Sequence, residues 1–281
     1  MIEISEYLLK PEYLESLAAR YQKEYSEAKP FPHIVIDNFL PQSILNSILE
    51  EFPSPDKIDW KSFNNSAEKK LASTSELQMG VNTRLLLQQL NSSTFINFLE
   101  QLTGIEGIIP DPHFVGGGLH QIETGGFLKI HTDFNRHKRL HLDRRLNLLI
   151  YINKQWKEEY GGHFEMWNTE MTKCEKKILP IFNRCVIFST TDFSFHGHPE
   201  PLTCPEDRTR KSLALYYYTN GRPAEEVAKA HSTLFKDRPQ ESFEKQKNQK
   251  YTFVAFKNLL KKLFPPILLE LKNSYNKDKK D

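Results

Sequence analysis

The sequence predicts a mostly β domain with flanking helices, an α+β chain, and three observations carry that reading. Short apolar runs recur between turn signals through the middle of the chain: HFVGGGLHQI (113–122), GFLKIHTD (126–133), LNLLIYIN (146–153), GGHFEMWN (161–168), NRCVIFST (183–190) and KSLALYYYT (211–219). No helical pattern of ten or more residues interleaves them, which counts against a parallel βαβ sheet and favours a sandwich or barrel. Helical periodicity is confined to the two ends.

At the N-terminal end, Leu9, Tyr13, Leu14 and Leu17 fall near helical spacing, and Lys29-Pro30-Phe31-Pro32 breaks the run. HIVIDNFL (33–40) alternates apolar and polar residues as a short strand does. Pro41 then opens an amphipathic helix over QSILNSILEEF. A further helix is expected over 92–102, capped by Ser92 or Ser93. Beyond the strands, Phe253, Phe256, Leu260, Leu263 and Phe264 form one apolar stripe flanked by Lys257, Lys261 and Lys262, and Pro265-Pro266 breaks it. The chain thus divides into an N-terminal helical and mixed segment (1–109) that buttresses the core, a β core (110–222) and a C-terminal helical extension (223–281). The basic stripe of the extension suits docking on the sheet or on a second copy, a homodimer.

Composition excludes several classes. With 38% hydrophobic and 26% charged residues the chain is globular, not disordered. No apolar run approaches the ~18 residues of a membrane span. A formal charge of +2 argues against nucleic acid as a partner. The opening residues MIEISEYLLKPEYLE carry no basic stretch of the secretory kind. Cys174, Cys185 and Cys204 are odd in number with no CxxC pair, so neither a disulfide framework nor a zinc-thiolate site is expected, and a cytoplasmic location fits.

The chemistry is concentrated in His131-Thr132-Asp133 and in His196, 63 positions after the aspartate. Residues i and i+2 of a strand share a face, so His131 and Asp133 can reach one point. A second imidazole completes two histidines and one carboxylate, which occupy one face of an octahedron and leave three positions open. His198 competes for the third place; His196, at a strand end after Phe-Ser-Phe, is preferred, leaving His198 on the surface or behind the ligands. Gly125-Gly126 supplies a tight turn before the His131 strand. Arg210 follows His196 by fourteen residues, and its fork suits a carboxylate. Period two places Arg210 with Ser212 and Ala214, whose small side chains leave room for a ligand; Lys211 faces the other way, and Arg208 reads as a solvated loop residue. His113, His120 and His163 read as polar residues at strand ends or near a cavity, and Trp156 and Trp167 as packing. Asn135, Arg136 and His137 follow the His131 strand in a loop, where substrate contacts are often carried.

Taken in order, HTD (131–133), GGHFEMW (161–167), FHGH (195–198) and RKS (210–212) resemble the Fe(II)/2-oxoglutarate-dependent dioxygenase superfamily, in its bacterial prolyl 4-hydroxylase-like branch, over roughly 112–222. The resemblance implies a double-stranded β-helix (jelly-roll or cupin-like) core with His131, Asp133 and His196 as iron ligands. It implies Arg210 and Tyr151 at the distal carboxylate of 2-oxoglutarate, with Leu149 and Phe164 as pocket walls. Asn147, on the same strand face as Leu149 and Tyr151, is a further polar contact. The implied cofactors are Fe(II), 2-oxoglutarate and O2, with ascorbate as reductant. The implied reaction is hydroxylation of an unactivated C–H bond, with a prolyl residue of a protein as substrate. A free amino acid or another small metabolite is the alternative substrate. A non-catalytic jelly-roll binding module, or a cupin-like metal enzyme that does not use 2-oxoglutarate, are the competing functions. Asp133 speaks against a halogenase, in which a small residue replaces the carboxylate. Leu128, Gln121 and His163 stand where relatives often carry two tyrosines and an acid, so the substrate wall differs.

Overall fold

The computed structural model describes residues 7–239 and 241. Four α-helices precede most of the sheet: α1 (Pro11–Glu27), α2 (Gln42–Glu51), α3 (Val81–Leu90) and α4 (Ser93–Thr103). Between and after them run β1 (His33–Asp37), β2 (Lys61–Asn64), β3 (Glu68–Ser73), β4 (Ile109–Pro110), β5 (Gly118–Ile122), β6 (Phe127–Thr132) and β7 (Asp143–Tyr151). The remaining strands are β8 (Phe164–Trp167), β9 (Cys174–Ile178), β10 (Arg184–Ser189), β11 (His196–His198), β12 (Arg210–Thr219) and β13 (Leu234–Phe235). Met1–Lys236 form one compact unit, and a second begins at Asp237. The apolar stripe at 253–264 and the homodimer expected through it lie outside the described residues.

All pairings are antiparallel, in the order β1-β10-β7-β12-β5-β3-β6-β11-β8-β9. Strand β3 makes the sheet curl. Its residues 71–73 pair with β5, whereas Glu68 and Lys69 pair with β6, so one strand joins two halves that then face each other. The expected jelly-roll core is thus present, and the hairpin β2–β3 inside the segment read as mostly helical is an addition to it. Its turn is local chemistry: Asn65 Oδ1 accepts from the backbone N–H groups of Ala67 and Glu68, which stabilises the reversal.

Alternation along β7 and β12 builds two cores. Leu146, Leu148, Ile150, Leu213, Leu215 and Tyr217 face the helices, where they meet Phe39, Ile44, Leu86, Phe95 and Phe98. Each such fully buried side chain stabilises the fold by roughly 1.5–3 kcal/mol. The alternate residues Asn147, Leu149 and Tyr151, with Ser212 and Ala214 beside them, face the hollow between the two sheet halves. Phe164, Met166, Val186 and Phe188 pack there with Tyr151. Helix α4 starts as expected, with the Ser92 hydroxyl accepting from the Phe95 N–H, and ends at Gly104 in the left-handed conformation.

Candidate metal centre and its cavity

His131 lies near the end of β6, Asp133 just beyond it, and His196 opens β11 opposite His131. The sheet therefore brings two histidines 65 positions apart onto adjacent strands. His196 Nε2 is 3.3 Å from Asp133 Oδ2, and His131 Nε2 is 3.7 Å from Asp133 Oδ1. Among the described residues, these three are the one group of His, Cys, Asp and Glu able to converge on an ion, with ligand atoms all within 4.8 Å of one another. His198 is not part of it.

The donors fit a small divalent metal. His131 Nδ1 donates to the Lys129 carbonyl and His196 Nδ1 to the Ser194 carbonyl, both at 2.8 Å. A carbonyl can only accept, so each ring keeps its lone pair on Nε2, turned toward Asp133. Ligand atoms about 2.1 Å from a metal and at right angles lie about 3 Å apart, close to the separations found here. Burial and the neighbouring His196 push the His131 imidazole toward its neutral form, the form that ligates, although Asp133 opposes them.

Asp133 has partners that alternation alone does not reveal. Arg144 Nη2 lies 3.1 Å from Asp133 Oδ2, and Asn147 Nδ2 donates to the same oxygen at 2.7 Å. Asn147 Oδ1 in turn accepts from Arg144 Nε and Nη2, so this side chain is committed to Arg144 and Asp133. The Arg144 guanidinium is 1% exposed and sits over the rings of Tyr216, at 3.4 Å, and Phe134, at 4.4 Å. Burial pushes the Asp133 carboxyl up, but the Arg144 guanidinium opposes it, and the carboxyl is held well below the usual carboxylate range. Arg144 faces inward because Arg145 bulges: Tyr217 pairs with Leu146, but Tyr218 pairs with Arg144.

The centre opens into a cavity of about 770 Å3 between the sheet halves, lined by Arg210, His198, Leu149, Phe164, Phe188 and Ser212 among others. That volume suits a small organic ligand. Arg210 is buried with no carboxylate beside it among the described residues. Its Nε donates to the Gly162 carbonyl at 2.8 Å, and Nη2 donates to the Tyr151 hydroxyl at 3.3 Å. Gly162 has φ +72°, and a Cβ on it would come within 2.9 Å of Arg210 Cδ, so glycine at this position lets the guanidinium lie against the backbone. Phe164 and Phe188 pack their rings on His196, at 5.4 and 4.8 Å.

Several other expected residues sit elsewhere. His198, expected on the surface or behind the ligands, is 3% exposed and lines the cavity. Burial, then Arg210 and Lys70, push its pKa well below the ordinary value, so the ring is neutral. His120 also lines the cavity, its Nε2 3.0 Å from the Gly116 carbonyl. His163 pairs with Glu158, and His113 is exposed. The loop after β6 departs from expectation. His137 is fully buried against Asp111 and Tyr218, and Asn135 is tied to the backbone of Lys229 and His231. Phe134 and Lys138 line the cavity from that loop instead.

Two walls come from outside the central strands. Lys61, Phe63, Glu68 and Lys70 of the β2–β3 hairpin line one side. On the other, β13 pairs with the end of β6 and sets Phe235 5.6 Å from the His131 ring, with Ser232 and Thr233 lining the cavity just before it. His231 Nε2 lies 2.9 Å from Asp192 Oδ1 and helps hold this strap. No helix among the described residues is long and apolar enough to cross a membrane.

Comparison with known proteins places this geometry. Residues 117–218 match the 2OG-Fe(II) oxygenase superfamily. No curated protein sequence matches. Among solved structures, a prolyl 4-hydroxylase from Pseudomonas putida superposes with a TM-score of 0.53 at 14% identity, over 73% of this chain and 100% of its own. A prolyl hydroxylase from Trichoplax adhaerens, bound to a peptide of the hypoxia-inducible factor oxygen degradation domain, gives 0.53 at 18% identity over 74% and 91%. HygX from Streptomyces hygroscopicus, with nickel, 2-oxoglutarate and hygromycin B, gives 0.50 at 11% identity over 76% and 96%. At these identities the likeness is one of fold.

Proposed function

We propose that the protein, whose residues 117–218 match the 2OG-Fe(II) oxygenase superfamily, is an Fe(II)- and 2-oxoglutarate-dependent dioxygenase that hydroxylates an unactivated C–H bond. The observation that carries the reading is one cavity holding both the His131–Asp133–His196 cluster and a buried arginine with no anion of its own among the described residues. When bound, the iron and 2-oxoglutarate supply the oxidising chemistry, consuming O2 and releasing succinate and CO2.

The protein's own part is positioning. His131, Asp133 and His196 hold the metal. Arg144 and Asn147 fix the Asp133 carboxylate. Arg210 and the Tyr151 hydroxyl seat the distal carboxylate of the co-substrate, while Leu149 and Phe164 wall its carbon chain. Phe164, Phe188 and Phe235 keep water from the imidazoles. Fixing the reacting groups in this way removes entropy from the barrier before the chemistry begins.

A prolyl residue of a protein is the first substrate reading, and a free amino acid or another small metabolite is the second. The hairpin wall favours the second. Lys70 Nζ lies 2.9 Å from Glu68 Oε2, both largely buried, and Lys61 and Lys70 both stand over the Phe63 ring. Charged groups of both signs match a zwitterion better than an uncharged prolyl ring.

The test is addition of Fe(II) and then 2-oxoglutarate without oxygen, followed by air. A weak visible charge-transfer band and then succinate release are expected, with ascorbate sustaining turnover. Neither band nor succinate would instead favour a binding module. A panel of proline-containing peptides and free amino acids then separates the two substrate readings by which of them raises succinate release.

A further inference from the structure

His198 is a cavity-lining side chain with both of its polar atoms unpartnered among the described residues. It is 3% exposed, and neither ring nitrogen has a hydrogen-bond partner. Buried polar side chains are nearly always bonded, so a bare imidazole facing a cavity points to a missing ligand. Its position is set firmly by the backbone. A Cβ on Gly197 would lie 2.8 Å from the carbonyl oxygens of Leu128 and Lys129, so β11 lies closer on β6 than any other residue allows. The ladder shifts between His196 and His198, which pair with His131 and Leu128, and both histidines line the same cavity.

The charges around the ring narrow the ligand's chemistry. Arg210 and Lys70 line the same cavity as the ring. Lys70 is already paired with Glu68. Among the described residues Arg210 is paired with no acid; its bonds go to a carbonyl and a hydroxyl. Among the described residues, a buried guanidinium without an anion and an imidazole without an acceptor thus line the same cavity. A carboxylate satisfies both, since it accepts from each and donates to neither.

We propose that His198 is a co-substrate-binding residue, donating its single ring N–H to the distal carboxylate that Arg210 holds. The proposal rests on the dioxygenase reading above. It gives this chain a two-sided grip on that carboxylate, guanidinium on one side and imidazole on the other, and so a stronger preference for a keto-diacid over a keto-monoacid.

The test uses the full chain loaded with Zn(II), so that no turnover intrudes, titrated calorimetrically with 2-oxoglutarate and with 2-oxopentanoate, which has the same carbon chain without the distal carboxylate. His198→Phe is expected to weaken 2-oxoglutarate roughly 10- to 100-fold, the loss typical of a hydrogen bond to a charged group, and to leave 2-oxopentanoate unchanged. His198→Asn, which keeps a donor, is expected to recover most of the loss. Equal losses for both ligands, or none for 2-oxoglutarate, would overturn the proposal while leaving the dioxygenase reading intact. A wild-type protein with no preference for the diacid would overturn both. Thermal melts of each variant precede the titrations, and His198→Leu repeats the comparison should the phenylalanine variant not fold.

Discussion

Asp133→Ala is expected to abolish metal-dependent turnover and also to destabilise the metal-free protein by about 3–5 kcal/mol, because it strands the Arg144 guanidinium without a counter-charge in the interior. Arg144 is 1% exposed, and among the described residues Asp133 is the acid within reach of it. That cost is a large share of the stability of an ordinary domain. Arg144→Met on its own leaves Asp133 buried without its main cation. Its expected effect is a 10- to 100-fold loss of metal affinity, roughly what disturbing a ligand's supporting partners costs. The double variant Asp133→Ala/Arg144→Met removes both charges, and replacing a buried pair by apolar groups is often neutral. It is therefore expected to melt close to wild type and still bind no metal. Urea midpoints and metal titrations of the four proteins complete the cycle. An Asp133→Ala protein as stable as wild type would rule out the buried pair as a structural element.

The same pair predicts an acid response. A carboxyl held below its unfolded value of about 3.9 contributes stability above that pH, and the contribution is lost as pH falls toward the native value. Asp133 is such a group, held down by Arg144 against burial. Metal-free wild type is therefore expected to lose stability in acid more steeply than Arg144→Met.

Arg210→Leu is expected to weaken 2-oxoglutarate by about 2–5 kcal/mol, the range for truncating one partner of a buried charged contact, or roughly 30-fold and more. Metal binding should be unaffected, because Arg210 touches none of the three ligands. Gly162→Ala is the milder form of the experiment. Its methyl group would press on Arg210 Cδ and on Leu202 Cδ2, at 2.9 and 2.6 Å, in a backbone conformation that glycine tolerates best. A smaller loss of co-substrate affinity with an unchanged metal titration is expected. If neither variant alters 2-oxoglutarate affinity, the enzyme is of the cupin-like kind that does not use it.

Much of the site could be read from the chain because strand alternation is strict where the ladder is regular. His131 and Asp133 two residues apart, and Arg210 in phase with small Ser212, follow from that rule. Tyr151 and Phe164 came from the resemblance, and the structure places Tyr151 on Arg210 and Phe164 on His196. What was not legible lies where the ladder is irregular. Arg144 and Asn147 differ in parity, so period two sets them on opposite faces; the bulge at Arg145 brings them together. A buried arginine in Asp-Arg-Arg also has the composition of a solvated turn. The hairpin β2–β3 was missed because its charged residues, such as Glu68 and Lys70, resemble a helix surface until they are seen lining a cavity. The burial of His137 is not legible locally, because its pairing with Asp111 depends on a residue 26 positions upstream.

The short strap ending in Phe235 bears on how the enzyme can be dissected. A fragment cut at the end of the matched domain, residue 218, would retain all three ligands and Arg210 but would bare the outer side of the His131 ring. Asn135 and Asp192 would at the same time lose the groups that anchor them. The smallest excisable piece with an intact chemical chamber therefore extends to at least Lys236, whose N–H still bonds to the Ile130 carbonyl.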